Sequence, residues 1–151
     1  MKQLSIFLEN RGGTLVRVLE LLSAAGIQII ASSVADTQDY GLYRLLCDQP
    51  LKASEILKAG GINFQLTEVI AVSIDDEPGR AANAVRALSE AGVSILYLYS
   101  FLWQGRGVLV FRVDSPEAAQ AVIAREKMTC PEFLNSIRRI RSRCFRRGCG
   151  R

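Results

Sequence analysis

The 151-residue chain is 49% hydrophobic, enough for a packed core and too apolar for a disordered protein. Its net charge of +4 is uneven: residues 1–130 hold 12 Lys and Arg against 14 Asp and Glu, while residues 131–151 hold seven Arg against Glu132 alone. The acidic body gives no electrostatic reason to expect nucleic acid, and no apolar run reaches the roughly 18 to 20 residues of a membrane span.

There is no His, and Cys47, Cys130, Cys144 and Cys149 follow no common zinc spacing, so neither a metal nor a cofactor is expected. The first residues lead straight into a strand pattern with no apolar signal segment, which predicts a cytoplasmic protein without a disulfide framework.

In chain order, residues 2–8 alternate, with Leu4, Ile6 and Leu8 on one face, and predict a strand. Asn10 to Gly13 is turn chemistry. Leu15, Val18, Leu19 and Leu22 recur at helical spacing, predicting an amphipathic helix over 14–25 that stops at Gly26. Strands follow over 27–35 and 40–47, with a turn at 36–39 between them. Pro50 opens a second helix that ends at Gly60-Gly61, and residues 62–67 form a last strand.

The sequence then repeats. An offset of 66 carries Gly13 onto Gly79, Gly26 onto Gly92, Leu22 onto Leu88, Ile29 onto Ile95, Asp48 onto Asp114 and Pro50 onto Pro116, without an insertion. Residues 64–74 read as nearly continuous strand, closing one copy and opening the next. A helix over 80–91, a strand over 93–103, a turn at 104–107, a strand over 108–113 and a helix over 116–126 complete the second. The offset calls for a closing strand over 128–133, but Pro131 lacks a ladder donor, so at best it is an edge strand.

Two α+β domains of ferredoxin-like βαββαβ order are therefore expected, at 1–68 and 69–130. Residues 131–151 read as a basic tail, disordered or non-native. The alternative is a short basic helix that meets an anionic partner.

The repeated unit is a strand, an Asp or Asn, a glycine and a helix. A helix start offers unpaired N–H groups, and glycine lets a ligand approach them, which suits a carboxylate. Asn10 and Asp76 lie three residues before Gly13 and Gly79, where a side-chain oxygen can accept from an ammonium group. The alternative is that both are only turn and cap residues.

Asn10-Arg11-Gly12-Gly13-Thr14-Leu15 and Asp76-Glu77-Pro78-Gly79-Arg80-Ala81 resemble the Asp/Asn-x-x-Gly-x-Leu loop of ACT domains. These are small βαββαβ modules that bind amino acids and regulate metabolic enzymes. The first loop departs from the pattern at Gly12, where Pro is usual, and the second at Ala81, where Leu is usual. The resemblance covers residue 3 to about residue 127 and is to the stand-alone tandem ACT proteins of bacteria. It implies that the two copies pair into one eight-stranded, mostly antiparallel sheet with helices on one face. It further implies an amino-acid ligand where a loop of one copy meets Ile29, or Ile95 and Tyr97, of the other. The implied ligand-binding set is Asn10, Gly12, Gly13, Thr14, Leu15, Ile29, Asp76, Pro78, Gly79, Arg80, Ala81, Ile95 and Tyr97.

No nucleophile–base pair or metal cluster is legible, which points to a non-catalytic sensor working as a homo-oligomer, a dimer first of all. Two alternatives remain open. One is an interaction module with vestigial loops that docks on a metabolic enzyme. The other is an RNA binder that stacks bases on Tyr97, Tyr99, Phe101 and Trp103, which alternate on one strand face.

Overall fold

The computed structural model describes residues 1–9, 11–36 and 40–131. Asn10 and the tail beyond Pro131 lie outside the described residues. The chain divides into two units, Met1–Glu68 and Val69–Arg151.

The first unit runs β1 (Lys2–Glu9), α1 (Thr14–Ala24), β2 (Ile29–Asp36), β3 (Tyr40–Cys47), α2 (Pro50–Ala59) and β4 (Phe64–Glu68). The second runs β5 (Ile70–Asp75), α3 (Arg80–Glu90), β6 (Ile95–Trp103), β7 (Arg106–Val113) and α4 (Pro116–Arg125). The long apolar stretch over 64–74 is broken at Val69, which divides β4 from β5.

The strands form two sheets, ordered β2-β3-β1-β4 and β5-β7-β6, and all their pairings are antiparallel. This corrects the expectation of one eight-stranded sheet: the described residues give a four-stranded and a three-stranded sheet. Alternation within a strand fixes which face is buried but not which further strand its edge will meet. Among the described residues the second unit's closing strand is one antiparallel bridge, Ser73 to Thr129. Pro131, two residues on, has no N–H with which to extend a ladder.

Each unit has its own core. Alternate residues of the central strands meet the helices' apolar stripes: Leu4, Ile6 and Leu45 against Val18, Leu22 and Leu57 in the first. Val72, Leu109 and Phe111 meet Ala84, Leu88 and Val122 in the second. Each large side chain so buried contributes about 1.5–3 kcal/mol.

The four helices among the described residues all end the same way. In α1 the Ile27 N–H donates to the Leu22 carbonyl at 3.0 Å and the Gly26 N–H to Ser23 at 2.9 Å. The same pair of bonds closes α2 from Ile62 and Gly61, α3 from Val93 and Gly92, and α4 from Met128 and Lys127. This Schellman stop needs a left-handed residue, which glycine adopts without a Cβ penalty. Gly26, Gly61 and Gly92 fill it with φ of 67°, 69° and 75°, but α4 uses Lys127 with φ 52°.

Candidate functional site

The two helix-start loops are superposable in their bonding. Glycine in the left-handed region precedes each helix, Gly13 at φ 90°, ψ −12° and Gly79 at φ 86°, ψ −15°. Neither glycine has anything within 4 Å of where a Cβ would stand, and the same is true of Gly12. The Arg11 N–H donates to Glu9 and the Thr14 N–H to Arg11, and their counterparts Glu77 and Arg80 donate to Asp75 and Glu77. No side chain caps α1 or α3. Asp76 makes no hydrogen bond or ion pair among the described residues, so the second loop does not use it as a cap.

The remaining predicted residues divide by environment. Thr14 Oγ1 donates back to the Arg11 carbonyl at 3.0 Å, and Leu15 packs against the first core. Ile29 opens β2, while Ile95 and Tyr97 open β6, with Ile95 against the second core. Asp76, Pro78, Gly79 and Ala81 are exposed around the start of α3.

Arg80 belongs to a charged array that sequence reasoning missed. Its Nη2 lies 2.8 Å from Glu77 Oε2 and 3.7 Å from Asp75 Oδ2. Arg106, at the start of β7, places Nη1 3.0 Å from Asp75 Oδ1 and donates from Nε to Ser73 Oγ at 2.9 Å. The Asp75 carboxylate thus sits between two guanidinium groups. All three side chains are about half exposed, at 48%, 51% and 48%, so solvent screens these pairs heavily.

Beside the array is a cleft of about 390 Å³, lined by the end of β5, one face of α3, Arg106 and residues 126–129. The 66-residue offset explains why there is room. Where α3 has Ala84, Ala87 and Asn83, α1 has Val18, Leu21 and Arg17. Arg17 Nη2 donates across to the Gly60 carbonyl at 2.8 Å, and a Cβ at Gly60 would come within 2.8 Å of Leu21 Cδ1. The second unit sets Glu126 opposite Ala87 at the positions of Gly60 and Leu21. Where the first unit has an edge-to-face Phe7–Tyr40 pair at 5.5 Å, the second has Ser73 and Arg106. The backbone beneath is unchanged: Thr129 accepts from the Ser73 N–H at 2.8 Å as Asn63 accepts from Phe7 at 2.9 Å.

On β6 the four aromatics Tyr97, Tyr99, Phe101 and Trp103 are half-buried and each has a partner. Leu96, Leu98 and Leu102, between them, are exposed at 58%, 41% and 65%. The exposed side of this strand is therefore aliphatic, whereas base stacking needs open ring faces.

Two α+β units, each with a glycine-started helix at its first loop, repeat one ferredoxin-like module. The ACT domain pair family matches residues 1–136, and the chain belongs to it. Among curated protein sequences none matches. Among solved structures, protein BT0572 from Bacteroides thetaiotaomicron is 34% identical with a TM-score of 0.82, covering 86% of this chain and 90% of that one. The regulatory subunit of aspartate kinase from Thermus thermophilus, in its ligand-free form, is 17% identical with a TM-score of 0.61. That from Thermus flavus is 16% identical with a TM-score of 0.58. Both alignments cover 82% of this chain and 90% of the other, and at such identity they show a shared fold. No helix among the described residues is long and apolar enough to cross a membrane.

Proposed function

We propose that this protein is a non-catalytic regulatory sensor that binds an amino acid at the glycine-started loops of its paired modules. One observation carries the reading: no side chain caps the start of α3, nothing stands within 4 Å of the Gly79 Cβ position, and Asp76, three residues earlier, has no partner among the described residues. Donors for a carboxylate and an acceptor for an ammonium thus share one short loop. Pro78, Arg80 and Ala81 complete it, and Gly12, Gly13, Thr14 and Leu15 form its counterpart in the first unit. Membership of the ACT domain pair family supports the regulatory role.

A thermal-shift screen of the twenty amino acids against the full chain tests this. A ligand at 100 times its Kd adds roughly 2.7 kcal/mol of stability. One amino acid should raise the midpoint, and Asp76→Ala should abolish the rise. A flat response to all twenty would refute the sensor reading.

The exposed Leu96, Leu98 and Leu102 on an edge strand favour a second role for the same molecule, self-association or docking on a metabolic enzyme through β6. Analytical ultracentrifugation should show a dimer that Leu98→Lys with Leu102→Lys dissociates; a monomer before substitution would dispose of the homodimer.

A further inference from the structure

We propose that the cleft of the second unit is a binding site for a short aliphatic carboxylate, distinct from the amino-acid loop, with which it shares only Arg80. Three of its lining side chains are cationic, Arg80, Arg106 and Lys127, and two are anionic, Asp75 and Glu126. Most of this charge is already matched. Asp75 lies between the two arginines, Glu77 holds Arg80, and Arg125 Nε lies 2.9 Å from Glu126 Oε1. Lys127 has no ion pair or side-chain hydrogen bond among the described residues. That leaves one positive charge without an ion pair among the lining residues, which favours one negative charge on the ligand.

The rest of the lining sets the ligand's body. Ile74, Ala84, Ala87 and Met128 give an apolar wall. The Asn83 amide, also without a side-chain partner among the described residues, can meet a hydroxyl or oxo substituent. A volume of about 390 Å³ takes a chain of a few carbons with room for water.

Two independent features mark this as a built site. The space arises from small residues at the positions where α1 carries Leu21 and Val18, on an otherwise matching backbone. Of the four helix stops among the described residues, the one that forgoes glycine is the one at the cleft: Lys127 accepts a left-handed backbone there and lines the cleft. Strain of this kind persists where the side chain has a use.

The test is a titration of the ¹⁵N-labelled full chain with sodium butyrate, followed by amide chemical shifts. Sodium chloride at equal ionic strength and 1-butanol are the controls. Butyrate should give saturable shifts at Ser73, Ala84, Ala87, Lys127 and Thr129 with one Kd on the order of 1–10 mM, the range open to so small a ligand. Phe7, Val18, Leu21, Gly61 and Asn63, the same positions of the first unit, should not move.

Lys127→Gly installs the residue found at the other three helix stops, and Ala87→Leu installs the side chain of the first unit. Each should weaken butyrate about tenfold or more with the remaining spectrum retained. Shifts that do not saturate, that chloride or butanol reproduces, that appear equally in the first unit, or that survive both substitutions would overturn the proposal.

Discussion

Lys127→Gly should make the protein more stable. A non-glycine residue in the left-handed region costs about 1–2 kcal/mol, and Lys127 stands there at φ 52°. Glycine gives back about 0.5–1 kcal/mol through the greater freedom of its unfolded chain. Losing a cation beside the α4 C-terminus costs about 0.3 kcal/mol more. The balance is a gain of roughly 0.5 kcal/mol, worth about 2–4 °C in a unit of this size. Urea unfolding followed by Trp103 fluorescence reports on the right unit, because Trp103 is the chain's single tryptophan and lies in β6.

The reciprocal change, Gly61→Lys, should cost about 1 kcal/mol. A Cβ at Gly61 meets nothing within 4 Å, so its effect is purely that of the backbone. Slowly exchanging amides of the buried Leu22 and Leu45 would report it. A loss of stability in Lys127→Gly, or no loss in Gly61→Lys, would refute the assignment of strain to this position.

Burial, with a smaller contribution from the Asp48 charge, lifts the Cys47 thiol from 9.0 to about 11. The folded state keeps a proton that the unfolded chain releases, so stability should fall between pH 9 and 11, by roughly 2–3 kcal/mol in all. Cys47→Ala should lack that part of the alkaline loss in denaturant midpoints taken across pH 8–11; an identical pH profile would contradict it. Leu88→Ala, at a side chain only 1% exposed, should cost about 2–5 kcal/mol in the Trp103 transition. Arg106→Gln breaks contacts that are half solvated and should cost no more than about 1 kcal/mol, so a larger loss would mean Asp75 is less screened than its exposure indicates.

Much of the fold was legible because it rests on short-range regularities. Leu4, Ile6 and Leu8 alternate, Leu15, Val18 and Leu22 recur at helical spacing, and Gly26 and Gly92 stop helices where their left-handed φ is needed. The single eight-stranded sheet failed because edge pairing depends on groups that sequence alternation does not encode, and because the closing segment of the second unit gives only the Ser73–Thr129 bridge among the described residues. At the loops, the openness of Gly13 and Gly79 follows from the glycines themselves. Asn10 and the tail expectations lie outside the described residues.

The cleft was hidden for a different reason. It is made by what is missing, the methyl groups of Leu21 and Val18 against Ala87 and Ala84, and a pattern of apolar positions reads those pairs as equal. The signal lay in the offset alignment, where Phe7 and Tyr40 become Ser73 and Arg106, but only a comparison of volumes would have drawn it out.

The uninterrupted 66-residue offset also bears on how such a chain can change over generations. A duplicated module carries a spare copy of every backbone solution, so one copy can drift while the other still supplies a sound fold. Here the two helix starts differ by only a few degrees, yet their side chains have gone separate ways. The difference between a filled and an open cleft needs only a change of residue size on one helix and of charge at its rim. The two units are, in effect, two packings built on one backbone plan.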